Sequence, residues 1–131
     1  MSEHPDIELV RRGYQAFAAG DSATLAEIIA ADATQFQPGS SELAGEHKGV
    51  EAILDFYGRL ARETDGSFRA ELEHLYTDGR GRVVAAHRST GSRQGRELDA
   101  RTCLIFTISN GKAIDIHGCQ SDIDAWDEFW A

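Results

Sequence analysis

The side chains of this sequence best suited to chemistry are a histidine and two tyrosines that the hydrophobic pattern turns inward. In "RVVAAHRSTG", residues 82–91, strand alternation puts Val83, Ala85, His87, Ser89 and Gly91 on one face and Val84, Ala86, Arg88 and Thr90 on the other. Arg88 must reach water, so the His87 face is read as the interior. An imidazole with an ordinary pKa of about 6.5 can take or give a proton at neutral pH. Tyr14 and Tyr57 lie on apolar helical stripes, and a buried phenol hydroxyl can donate to a developing negative charge. Pairing through the turn "TDGRGR" sets Leu72 opposite His87 and predicts His74 on the same face, near enough for the two imidazoles to support each other. The competing reading of each residue is structural: a core side chain whose polar atom is tied to a neighbour.

The elements that must position these groups follow from periodicity. A first helix starts near Pro5 and buries Ile7, Val10, Tyr14 and Phe17, spaced i, i+3, i+7 and i+10. Gly20 closes it, and Asp21 caps a second helix that buries Leu25, Ile28 and Ile29. "DATQFQPGSSELAGEHKG" reads as a short strand running into a loop, and a third helix from Gly49 buries Val50, Ile53, Leu54, Tyr57, Leu60 and Ala61. The period then changes to 2, predicting strands over 67–77, 82–92, 96–108 and 112–121, joined by "DGRG", "RQGR" and "SNGK". Ser121 with Asp124 fits the cap of a closing helix, "AWDEFW", whose Trp126, Phe129 and Trp130 would cover the mouth of the core or dock on the sheet. Three helices before an antiparallel meander is an α+β order, and strands this long bury one face by curling around the helices, which leaves a pocket between.

Parity also orders the remaining strands. Leu98, Ala100, Thr102, Leu104, Phe106 and Ile108 share the apolar face, so Asp99 and Arg101 point outward unless a bulge intervenes. If Ile114 and Ile116 face inward, Cys103 and Cys119 lie opposite each other on the outside as free thiols, with His117 beside them. A strict two-residue Asn-Gly turn would misalign the two faces, so a longer turn or a bulge is expected.

The composition excludes several function classes. The 131 residues suit one domain, and 41% apolar with 27% charged residues suits a globular protein. A net charge of −9, with Lys48 and Lys112 the only lysines, argues against nucleic acid and anionic membranes as partners. No apolar run reaches the length of a membrane span and "MSEHPDIEL" has no signal-peptide character, so a cytoplasmic location is expected. Five scattered histidines and two cysteines form no metal-binding spacing, and no glycine-rich phosphate loop is present. Neither a metal nor another cofactor is expected.

"YQAFAAGDSATLAEIIAADATQFQPG", "LAGEHKGVEAILDFY", "HRSTGSRQGRELD" and "DAWDEFW" together resemble the SnoaL-like, polyketide cyclase-like branch of the nuclear transport factor 2-like superfamily, over almost the whole chain. The resemblance implies an α+β cone, a strongly curved antiparallel sheet wrapped around three N-terminal helices, dimeric through the outer face of the sheet. It also implies a pocket inside the cone, with Gln37, Ser89, Thr102 and Gln120 as polar lining and Phe17, Leu104 and Phe106 as apolar wall. Ketosteroid isomerases of this superfamily carry a proton-abstracting aspartate where this chain has Gln37, and a protonated aspartate where it has Leu104. Glutamine cannot take that proton and leucine cannot donate one, so the isomerase mechanism is absent.

What remains is cyclase- or isomerase-like acid/base work on a small hydrophobic carbonyl compound, with His87 as base and Tyr57 and Tyr14 as donors to the oxygen. The alternative is a non-catalytic module that binds an apolar ligand or dimerises; an epoxide hydrolase would need Asp99 and Arg101 inside the cone. A cavity above about 300 Å³ on which His87, Tyr57 and Gln120 converge would favour the enzyme, and one closed by Leu104, Phe106 and Phe17 the module.

Overall fold

A computed structural model describes residues 3–131. Its elements are α1 (Pro5–Ala19), α2 (Ser22–Ile28), β1 (Ile29–Gln37), β2 (Gly45–Lys48), α3 (Val50–Arg62), β3 (Arg69–Thr77), β4 (Arg82–Arg93), β5 (Arg96–Ser109), β6 (Lys112–Gln120) and α4 (Ile123–Trp130). The six strands form one sheet in the order β2-β1-β6-β5-β4-β3. This is the expected α+β architecture, the sheet curving about the helices. Among the described residues no helix is long and apolar enough to cross a membrane.

The helix ends follow their local chemistry. Pro5 opens α1, and the His4 ring accepts from the Asp6 amide. Gly20 ends α1 in the left-handed conformation at φ 68°, which its missing Cβ permits. Asp21 then caps α2 by accepting from the Thr24 amide. At α4 the cap is Asp122, accepting from Ala125, one residue later than Ser121; the Ser121 hydroxyl instead accepts from the Arg101 amide.

Four features of the sheet depart from the simple meander. Ile29 belongs to β1, not α2, although it is buried as expected. The loop after β1 returns as the short strand β2, which pairs antiparallel with β1. β1 itself pairs parallel with β6, so the sheet is mixed at this junction. Two bulges in the antiparallel ladders shift parity, beside a register shift between Ile29 and Thr34 where β1 pairs with β6. In β3 the register moves from Leu72↔His87 to His74↔Ala86, which turns His74 onto the outer, exposed face against the expectation. That extra residue lets both Leu72 and Leu75 face inward. In β6 the register moves from Ile108↔Ala113 to Thr107↔Asp115, leaving Ile114 as the extra residue and 40% exposed while Ile116 is buried. The bulge reconciles a tight Asn110-Gly111 turn with the inward faces of both strands. Cys103 consequently lies opposite Cys119, both as free thiols.

Trp126, Phe129 and Trp130 of α4 pack with Phe56, Leu60, Phe68 and Leu98, closing one end of the cone. Val10, Val83, Ala85, Ile108 and Ile116 fill the other end. The polar side chains lie between these two apolar clusters.

Candidate functional site

Strand register builds a row of polar side chains across the inner face of the sheet. His87 on β4 pairs with Thr102 on β5, which pairs with Gln120 on β6, and Ser89 follows His87 two residues along the same face. The row is hydrogen-bonded throughout: His87 Nε2 lies 3.1 Å from Ser89 Oγ, Ser89 Oγ 3.0 Å from Thr102 Oγ1, and Thr102 Oγ1 donates to Gln120 Oε1 at 2.8 Å. From α1 the Tyr14 hydroxyl reaches His87 Nδ1 at 2.6 Å, the two rings meeting edge to face. With Tyr14 donating to Nδ1, each hydroxyl along the row donates once and the Nε2–H points at Ser89. That arrangement selects the tautomer in which Nδ1 holds the lone pair.

A second polar pair lies across the cavity. Tyr57 of α3 donates to Gln35 Oε1 on β1 at 2.5 Å, so its hydroxyl proton is already engaged. Gln35 was not among the expected residues. Its signal was the alternation Ala33, Gln35, Gln37 along "DATQFQ", which puts two amides on the inner face of β1.

The cavity these residues enclose has a volume of about 90 Å³. Tyr14, Phe17, Gln37, Tyr57, His87, Thr102, Leu104, Phe106 and Gln120 all line it; Ser89, fully buried, sits behind His87 and Thr102. Trp126, expected only as a cover, also lines it. His74 does not, because of the β3 bulge. Among the described residues the lining contains no Asp, Glu, Lys or Arg. The volume is below the roughly 300 Å³ typical of small-molecule sites, so the unliganded cavity has room for a compound of about one ring.

Burial in these apolar surroundings sets the protonation states. It pulls the His87 imidazole down to about 4, with no carboxylate nearby to stabilise a positive charge. It pushes both phenols well above their ordinary range, Tyr57 being partly restrained by its bond to Gln35. At neutral pH the resting pair is therefore a phenol against a neutral imidazole. Asp99 and Arg101 take no part: they lie outside, where Asp99 receives two hydrogen bonds from Arg88 at 2.8 and 2.7 Å and Arg101 pairs with Glu73 at 2.7 Å. The acid–arginine group of an epoxide hydrolase is therefore not assembled in this cavity.

The sequence profile of the SnoaL-like domain matches residues 10–116. The chain belongs to the SnoaL-like domain family. A relative, the uncharacterized protein Rv0034 of Mycobacterium tuberculosis (strain ATCC 25618 / H37Rv), is 36% identical over 131 residues, covering all of both chains. Among solved structures, Bal32a from a soil-derived mobile gene cassette is 45% identical, with a TM-score of 0.95 over 97% of each chain. A putative SnoaL-like polyketide cyclase from Jannaschia sp. CCS1 shares the fold at 16% identity and a TM-score of 0.81, covering 100% of this chain and 98% of its own. NTF2-like and cystatin-like structures share the same cone.

Proposed function

We propose that this SnoaL-like protein moves a proton on a small apolar carbonyl compound held in the cone cavity. The observation that supports it is the Tyr14–His87 pair, 2.6 Å apart on the wall of an otherwise uncharged cavity. Two titratable groups pushed apart in this way are the usual basis of an acid/base assignment. With Nε2–H held by Ser89, Nδ1 is the basic atom. When a ketone enters, the Tyr14 hydroxyl turns from Nδ1 to the carbonyl oxygen. Nδ1 takes the proton from the adjacent carbon, and the electron pair of the broken C–H bond moves onto the oxygen, where the phenol hydrogen bond meets it. Return of the proton to the same or another carbon gives isomerisation, and attack of the enolate carbon on a second carbonyl gives cyclisation.

A second reading, a binding module without catalysis, is favoured by the small cavity and by the weak basicity of an imidazole held near 4. Incubation in D₂O with one-ring ketones such as cyclopentanone and cyclohexanone separates the two. The acid/base reading expects deuterium to enter beside the carbonyl with wild type, to stop with His87→Ala, and to slow with Tyr14→Phe. Exchange indifferent to both substitutions would remove these residues from the chemistry. A ketone that binds without exchanging would establish the module.

A further inference from the structure

Among the described residues, three buried nitrogen donors on cavity-lining side chains have no hydrogen-bond partner: Gln37 Nε2, Gln120 Nε2 and Trp126 Nε1. All three belong to cavity-lining residues, and all are donors. The polar row explains why Gln120 presents nitrogen, since its Oε1 is occupied by the Thr102 hydroxyl. The register of β1 against β6, with Phe36 opposite His117, brings Gln37 and Gln120 near each other on the inner face of the sheet. Gln37 ends β1, and its amide lies over Gly118 of β6, where an added Cβ would sit 3.6 Å from Gln37 Oε1. Gln120 follows on the same face of β6, and the chain then turns into α4, which brings Trp126 back against the cavity.

Buried donors without acceptors are rare in folded proteins, so three of them on residues lining one cavity call for an acceptor there. The acceptor must be neutral. No Lys or Arg lines the cavity among the described residues, and a carboxylate buried without a cation is strongly disfavoured. A carbonyl oxygen satisfies both conditions, having two lone pairs and no charge.

We infer that the ligand of this cavity carries a second carbonyl-type oxygen, seated on the N–H groups of Gln37, Gln120 and Trp126. The substrate class is then a neutral dicarbonyl on a compact ring, one oxygen at Tyr14 and the other at the amide end. This rests on the reading of the cavity as a carbonyl site, and it gives an acceptor to the amide nitrogens of Gln37 and Gln120.

The test compares 1,4-cyclohexanedione with cyclohexanone, the same ring with and without the second oxygen, by NMR titration of the intact chain. Wild type is expected to bind the dione about tenfold more tightly, the effect of one or two buried hydrogen bonds. Gln37→Leu and Gln120→Leu should each reduce that preference to about twofold or less, the ratio of dione to cyclohexanone affinity within each variant being the readout. Trp126→Phe removes the N–H together with part of the buried indole, and the dione-to-cyclohexanone ratio should fall without vanishing. Equal binding of the two compounds to wild type, binding of neither, or a preference that survives both glutamine substitutions would overturn the inference. Deuterium exchange into cyclohexanone by wild type and His87→Ala tests the Tyr14–His87 pair without calling on a second oxygen, so either reading can fail while the other stands.

Discussion

His87 carries a cost that depends on pH. Its imidazole is held near 4 in the folded protein, whereas in the unfolded chain it titrates at about 6.5. Above about 6.5 neither state binds the proton, and stability is unaffected. Between about 6.5 and 4 the unfolded chain takes up a proton that the folded protein refuses, so stability falls as pH falls, by about 3 kcal/mol in total. Below that range both states are protonated and the loss levels off. Urea unfolding of wild type and His87→Gln across this window isolates the effect, because exposed carboxylates such as Asp21, Asp78 and Asp99 titrate alike in both proteins. Wild type is expected to be the more stable at pH 7.5 and to lose its advantage steadily toward pH 4. A stability difference that does not change with pH would show that His87 is not buried as a neutral ring.

At the scale of elements, two glycines make opposite predictions. A Cβ on Gly118 would lie 3.1 Å from the Phe36 carbonyl oxygen and 3.2 Å from Pro38 Cδ, where β1 leaves the sheet. Gly118→Ala should therefore cost about 1–3 kcal/mol through overpacking. A Cβ on Gly13, inside α1, would meet nothing within 4 Å, so Gly13→Ala should stabilise by about 0.5–1 kcal/mol. Urea midpoints check both, and a neutral Gly118→Ala would mean that β1 yields there. The same two positions indicate what was legible in advance. α1, with Gly13 on it, was plain from its apolar stripe and its caps, and β4, β5 and β6 from alternation. The row His87, Ser89, Thr102, Gln120 emerged because resemblance and parity agreed. The close approach of β1 to Gly118 was not legible, since parallel pairing of β1 with β6 is a long-range contact with no local signature. Nor was the β3 bulge, because one extra residue in "ELEHLY" changes neither composition nor hydrophobicity, yet it moves His74 from the inside to the outside.

The molecule as a whole raises the question of the side from which a ligand reaches a cavity bordered by helices, sheet and α4. A second space of about 460 Å³ is bordered by the α1–α2 junction, α3 and the start of β3. It shares Phe17, Leu25, Tyr57, Phe68 and Ala70 with the inner cavity, so these side chains separate the two. Phe17 is central to this wall, meeting Tyr57 edge to face at 5.4 Å and Phe68 at 6.2 Å. A wall held by edge-to-face contacts of this kind, each worth about 1 kcal/mol, can open by rotation of one ring without unfolding the sheet. Phe17→Ala should join the two spaces at a cost of roughly 3 kcal/mol in stability. The chain has two tryptophans, both buried, and Trp126 lines the inner cavity, which provides a readout independent of any substrate. Acrylamide should quench wild type weakly and Phe17→Ala strongly. A variant at Val83, buried in the opposite apolar cluster and chosen for matched destabilisation, should quench as wild type does. Equal quenching of the Phe17 and Val83 variants would assign the change to loosened packing, and the entrance would have to be sought elsewhere on the cone.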